Sequence, residues 1–111
     1  EGEYLNGKRN GKGKEYDFKG KIKFEGVYLN GIRWNGKGKE YNEIGKLKYE
    51  GEYLHGKKNG KGKEYYKNGK LEFEGEFLNG KRWKGKRKKY GHNGKLIFEE
   101  KYLNGKIEEY D

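Results

Sequence analysis

Cysteine, methionine, proline, alanine, serine, threonine and glutamine are all absent from the 111 residues. Without cysteine there is no disulfide framework and no thiolate metal site. Without serine, threonine or cysteine the usual hydroxyl and thiol nucleophiles are missing. Apolar residues are scarce too, at 29% against 41% charged, so a thick hydrophobic core is out of reach. No apolar run approaches the length that spans a bilayer, and no secretory leader pattern is visible. The chain opens inside a repeat and without an initiator methionine, as expected of a segment excised from a longer protein. The compartment is left unassigned on these grounds, with the cytoplasm favoured.

Low hydrophobicity and a net charge of +10 lean toward disorder. Two features oppose it: aromatics make up 16% of the chain, and a strict period runs through it. Aligned on Glu-Gly, repeats begin at Glu1, Glu25, Glu50 and Glu74, with a Glu-Glu version at Glu99. The spacings are 24, 25, 24 and 25, and the extra residues are Trp34 and Trp83, each after an arginine. A period of this size signals a stacked array.

Each repeat reads as two strands. Leu71 to Leu78 alternates and is rich in β-formers, and glycines every few residues oppose helix. Asn68-Gly69 predicts a two-residue type I′ turn, which needs positive φ at both positions. Asn93-Gly94 repeats it, and Lys19-Gly20 and Ile44-Gly45 are weaker versions. His55-Gly56-Lys57-Lys58-Asn59-Gly60 reads as a longer loop inside a repeat, with Asn6, Asn30, Asn79 and Asn104 standing where His55 does. The expectation is an all-β domain over residues 1–111: a single-layer, elongated, twisted antiparallel sheet of stacked β-hairpin repeats, with about nine or ten strands.

The Asn68-Gly69 turn sets a register: Tyr66 faces Leu71, Glu64 faces Phe73, Lys63 faces Glu74, Gly62 faces Gly75 and Gly60 faces Phe77. One face then collects Phe73, Gly75 and Phe77, and likewise Phe24, Gly26 and Tyr28, and Tyr49, Gly51 and Tyr53. A ring can lie over a residue without Cβ, so Phe77 is expected to cover Gly60, and paired glycines let the sheet bend toward the aromatic face. The other face carries Lys63–Glu74 and Lys61–Glu76 pairs. The ends are worn: Arg87 stands where Gly62 does, Glu100 where Gly75 does, and Leu103-Asn104-Gly105-Lys106 turns tightly into Ile107-Glu108-Glu109-Tyr110. A polar, shortened unit of this kind suits a cap.

The run Tyr49-Glu50-Gly51-Glu52-Tyr53, followed by Asn59-Gly60-Lys61-Gly62, resembles the MORN repeat (membrane occupation and recognition nexus). The connection from Lys63 to Leu71 is similar to the longer variant common in bacterial proteins. The chain departs from the family in a slightly long repeat, in Tyr or Phe rather than Trp after Glu-Gly-Glu, and in degraded last copies. The resemblance implies a twisted, grooved stack of hairpins used for protein–protein contact and scaffolding, in some members beside catalytic domains and in some credited with acidic phospholipid binding.

Two surfaces are candidates. The first is an aromatic groove of Tyr4, Phe24, Tyr28, Tyr49, Tyr53, Phe73 and Phe77, with Glu15, Glu40 and Glu64 on the same face. It is either a core or a concave site for a helix, an extended segment or a second copy of the chain. The carboxylates either pair with a neighbouring lysine or tyrosine or line the groove. The second is a basic loop edge of Lys8, Arg9, Arg33, Trp34, Lys57, Lys58, Lys81, Arg82, Trp83 and Arg87. It serves solubility, or it draws in anionic phospholipid and, less so, nucleic acid. His55 and His92 stand alone in turns, the Gly-x-Gly runs lie in strands with no helix behind them, and neither catalysis nor a cofactor or metal is expected. The reading is a non-enzymatic interaction module.

Overall fold

The computed structural model describes residues 2–108 as one open sheet of ten antiparallel strands in sequence order. They are β1 (Gly2–Leu5), β2 (Lys8–Tyr16), β3 (Ile22–Leu29), β4 (Ile32–Tyr41), β5 (Leu47–Leu54), β6 (Lys57–Tyr65), β7 (Leu71–Leu78), β8 (Lys81–Tyr90), β9 (Leu96–Leu103) and β10 (Lys106–Ile107). Glu109 and Tyr110, assigned above to the last unit, lie outside the described residues. The array measures 55 × 31 × 17 Å, so it is a ribbon one sheet thick.

The turns exchange the roles expected of them. The tight type I′ turns are Asn6-Gly7, Asn30-Gly31, His55-Gly56, Asn79-Gly80 and Asn104-Gly105, with φ of 50–53° at the first residue and 79–86° at the glycine. The residues after His55-Gly56, expected to form a long loop, are already β6, which starts at Lys57. Every tight turn after the first is tied to the preceding hairpin. The Gly31 N–H donates to the Arg9 carbonyl at 2.7 Å, that of Gly56 to Trp34 at 2.9 Å, and that of Gly80 to Lys58 at 2.8 Å. The Oδ1 atoms of Asn10, Asn35 and Asn59 accept from the N–H groups of Asn30, His55 and Asn79.

Asn68-Gly69 instead belongs to a three-residue connection. The Tyr66 N–H donates to Lys70 O and the Gly69 N–H to Tyr66 O, both at 2.9 Å. Gly69 alone takes a left-handed φ, of 91°. This is a type I turn closed by one left-handed residue. Asn93-Gly94, Lys19-Gly20 and Ile44-Gly45 do the same. The extra residue changes the outer register, so Tyr65 rather than Tyr66 pairs with Leu71. From Glu64↔Phe73 inward to Gly60↔Phe77 the pairing is as expected.

The two tryptophans also sit in strands rather than loops. Tyr28 pairs with Arg33 and Val27 with Asn35, so Trp34 is the additional residue of a bulge; Trp83 is its equivalent between Arg82 and Lys84. The shorter hairpins use a wider bulge at Gly11 and Gly60, whose φ values are 89° and 83°. There the Glu3 and Glu52 carboxylates accept the Lys12 and Lys61 N–H groups at 2.8 and 2.6 Å.

Glycine faces glycine at the middle of the sheet: Gly13↔Gly26↔Gly36, Gly38↔Gly51↔Gly62 and Gly62↔Gly75↔Gly85. A Cβ added to Gly51 would lie 2.6 Å from both Gly62 Cα and Lys61 O. One added to Gly75 would run into the Lys84 carbonyl. The backbones therefore close on one another over the aromatic face, and the strands fold toward it there. On a straight strand, α-carbons four residues apart are separated by about 13 Å. The rings of Phe24 and Tyr28 are 5.1 Å apart, and those of Phe73 and Phe77 are 5.4 Å apart. Fold and lean together bring each pair into edge-to-face contact. Phe77 reaches Gly62 rather than the expected Gly60, which faces the Glu52 carboxylate.

Candidate functional site

The aromatic face is closed. Phe24, Tyr28, Tyr49, Tyr53, Phe73 and Phe77 are 0–8% exposed, whereas Tyr4, at the end of the stack, is 60% exposed. The rings form a column through contacts such as Phe24–Tyr53 at 5.9 Å and Tyr49–Phe77 at 5.3 Å. A second row of side chains covers them. The Arg33 guanidinium lies 5.1 Å from the Phe24 ring centre, Lys58 Nζ 4.6 Å from Tyr49 and Arg82 4.8 Å from Phe73. Two carboxylates hold this cover in place, and a third holds a ring beneath it. Glu15 binds Arg33 at 2.9 Å and receives the Tyr28 hydroxyl at 2.6 Å. Glu64 binds Arg82 at 2.7 Å and Lys58 at 3.1 Å. Glu40 accepts the Tyr53 hydroxyl. The expected open groove is therefore filled by its own sequence neighbours, and these aromatics are a core.

Ionisation follows from this arrangement. Burial alone would raise the Glu15 pKa, but hydrogen bonds from Arg33 and Tyr28 and the charges of Arg33 and Arg9 outweigh it and hold the carboxyl below its usual range. Glu64 is lowered against its own burial by Arg82 and Lys58. Burial, then the Glu15 hydrogen bond and charge, push the Tyr28 hydroxyl up to about 12. Each acid is thus matched to a cation before any ligand arrives.

The basic edge is also redistributed. Arg9, Arg33, Lys58 and Arg82 turn onto the aromatic face. Arg87 binds Glu100 at 2.6 Å and Glu72 at 3.5 Å. Trp34 and Trp83 lie over the turn glycines of the following hairpins, 3.5 Å from a Cβ built on Gly56 and 3.4 Å from one on Gly105. Lys8, Lys57 and Lys81 remain exposed beside the tight turns.

The open surface is the opposite face. A furrow of about 1000 Å³ crosses β3 to β7. Its floor is the bare backbone of Gly38, Gly51, Gly62 and Gly75, and its walls are the lysines and glutamates on either side of each glycine. The walls change sign strand by strand: Lys37 and Lys39 on β4, Glu50 and Glu52 on β5, Lys61 and Lys63 on β6, Glu74 and Glu76 on β7. Cross-strand contacts such as Lys63–Glu74, at 3.8 Å, are loose and half exposed, so they contribute little. The sequence reading treated these residues only as solvated pairs. The signal was present in the alternation of Lys-Gly-Lys with Glu-Gly-Glu along the chain.

Comparison with known families agrees with this architecture. The MORN repeat model matches residues 1–21, 49–70 and 73–83, and the MORN repeat variant model matches 34–55 and 83–104. Together the matches cover most of the chain, and those to the variant begin at the bulge tryptophans. No curated protein matches the chain. The chain belongs to the MORN repeat family, whose repeats are modules for protein or lipid interaction.

Proposed function

We propose that this MORN-repeat array is a non-enzymatic module for protein–protein interaction or scaffolding, with the glycine-floored furrow as its contact surface. The division of labour between the faces carries this reading. One face spends its aromatics and its best-placed charges on holding the sheet bent. The other presents an open channel whose wall charges pair loosely across strands, with Glu50 and Glu52 also accepting from the Tyr65 hydroxyl and the Lys61 N–H. The aromatic column, with Glu15, Glu40 and Glu64, supports the site by fixing its shape.

The test is capture of the natural partner by the parent protein. Reversing Lys37, Lys61 and Lys63 to glutamate should weaken capture at least about tenfold, a change of about 1.4 kcal/mol. Reversing Lys8 and Lys57 at the turn edge should leave it unchanged. Undiminished capture by the folded furrow variant would remove this reading.

A second reading concerns the tight-turn edge. Lys8, Lys57 and Lys81 stand opposite Leu5, Leu54 and Leu78, which are 57%, 43% and 40% exposed. Cations beside exposed leucines suit the surface of an anionic phospholipid bilayer. Co-sedimentation with acidic vesicles at low salt should then disappear when these three lysines become glutamate and persist in the furrow variant.

A further inference from the structure

The furrow has a step size and a sign pattern, and together they specify an occupant. We infer that it receives an α-helix of a partner protein whose furrow-facing stripe alternates acidic and basic residues, one per turn. The inference rests on the furrow being the contact surface. Each strand sets two like charges across a glycine, forming a jaw: Lys37 and Lys39, Glu50 and Glu52, Lys61 and Lys63, Glu74 and Glu76. On β8, Lys84 and Lys86 flank Gly85 and pair with Glu76 and Glu74, so the series continues to a fifth jaw. The order is plus, minus, plus, minus, plus. A jaw of two lysines suits one carboxylate between them, and a jaw of two glutamates suits one lysine or arginine.

Spacing decides the conformation of the partner. Neighbouring strands are about 4.8 Å apart, and a helix advances about 5.4 Å per turn. A helix lying across the strands therefore delivers one residue per strand, at positions i, i+3 or i+4, i+7, i+11 and i+14. Over four steps the mismatch reaches only about 2.4 Å, within the reach of lysine and glutamate side chains. An extended peptide presents a same-side residue every 6.6 Å or so and is about 3.6 Å out of phase by the third jaw. Four turns of helix, about 20 Å long, also match the span of five jaws, about 19 Å. The same stripe places opposite charges at i, i+4 in the partner, which supports its helix before docking.

The C-terminal end of the array sets where the stripe is held hardest. Beyond β8 the alternation stops: Lys86 faces Lys101, where the pattern calls for glutamate. Like charges set directly opposite are unfavourable in a sheet, so an acidic residue of the partner is worth most over β8. The acidic residue of the stripe that lies over β8 is therefore its strongest anchor.

The experiment uses three labelled 18-residue peptides with the intact array and reads fluorescence anisotropy. The first is helical with the alternating stripe. The second has the same composition, with its acidic and basic residues in separate blocks. The third is the alternating peptide with a central proline. The alternating helix should bind at least about tenfold tighter than either control. The array variant Glu74→Lys with Glu76→Lys should lose that preference, and a peptide whose matching lysine is replaced by glutamate should regain it. Equal binding of the blocked or proline-containing peptide overturns the inference. So does failure of all three peptides while natural-partner capture remains sensitive to furrow reversal, an outcome that leaves the protein-interaction reading standing.

Discussion

The middle of the array and its C-terminal end are built from the same repeat and differ at one crossing. In the middle, Gly62 faces Gly75, the backbones close together, and Phe73 and Phe77 are buried. At the end, Arg87 faces Glu100 in the equivalent positions, and the aromatic that follows the same pattern, Phe98, is 45% exposed. An ion pair of 2.6 Å stands where two absent Cβ atoms otherwise allow the sheet to fold. A ring in this array is buried by three things at once: a glycine beneath it, a neighbouring ring, and a cation from the strand paired with its own. The end lacks a further hairpin, and it replaces its glycines with side chains that satisfy one another. Lone strand edges invite association, and a charged, unfolded crossing is a poor template for another hairpin.

The largest test of this contrast is to place the same side chain at both crossings. Gly75→Val should destabilise the protein by at least about 4 kcal/mol, because its Cβ collides with the backbone of β8. Glu100→Val at the equivalent end position should change stability by less than about 1 kcal/mol. Chemical denaturation of both variants checks this, and an unchanged midpoint for Gly75→Val would remove the role given to the glycine pairs.

The aromatics supply the next difference. Phe73→Ala should lose about 3 kcal/mol or more, whereas Phe98→Ala should lose about 1 kcal/mol, since much of its ring is already in water. Thermal melting of the pair distinguishes a shared core from a frayed end.

Smaller effects come from the charged cover. Glu64→Gln leaves Arg82 and Lys58 over the rings without their carboxylate, and about 1–2 kcal/mol should be lost. Glu74→Gln on the furrow wall should shift stability by less than about 0.5 kcal/mol. Stability also depends on pH. Glu15 and Glu64 are lowered from an ordinary 4.5, so their contribution is present above that value and is lost as pH falls below it toward the folded-state pKa. Acid titration of unfolding should show this loss, reduced in Glu64→Gln. Tyr28 is raised from 10.0 to about 12, so its contribution is intact below pH 10 and lost on rising through about 12.

The sequence by itself determined the fold. Period-two alternation, paired glycines and recurrence at 24 or 25 residues are local features, and a single-layer sheet of consecutive hairpins is what they allow. The inner register agrees with a count across a two-residue Asn68-Gly69 turn only because a bulge between Glu64 and Tyr65 offsets the third residue of the actual connection. Two matters were settled only by tertiary structure. Asn68-Gly69 and Asn79-Gly80 are the same dipeptide, yet only the second is a type I′ turn. The second donates its glycine N–H to Lys58 of the preceding hairpin, a contact that exists only once the hairpins are stacked. The aromatic column, likewise, is legible as a stripe, but its closure depends on Arg33 reaching Glu15 eighteen residues earlier and Arg82 reaching Glu64. Alternation assigns a side chain to a face; whether that face is open to a partner depends on what the adjoining hairpins lay across it, and that is a long-range property of the stack.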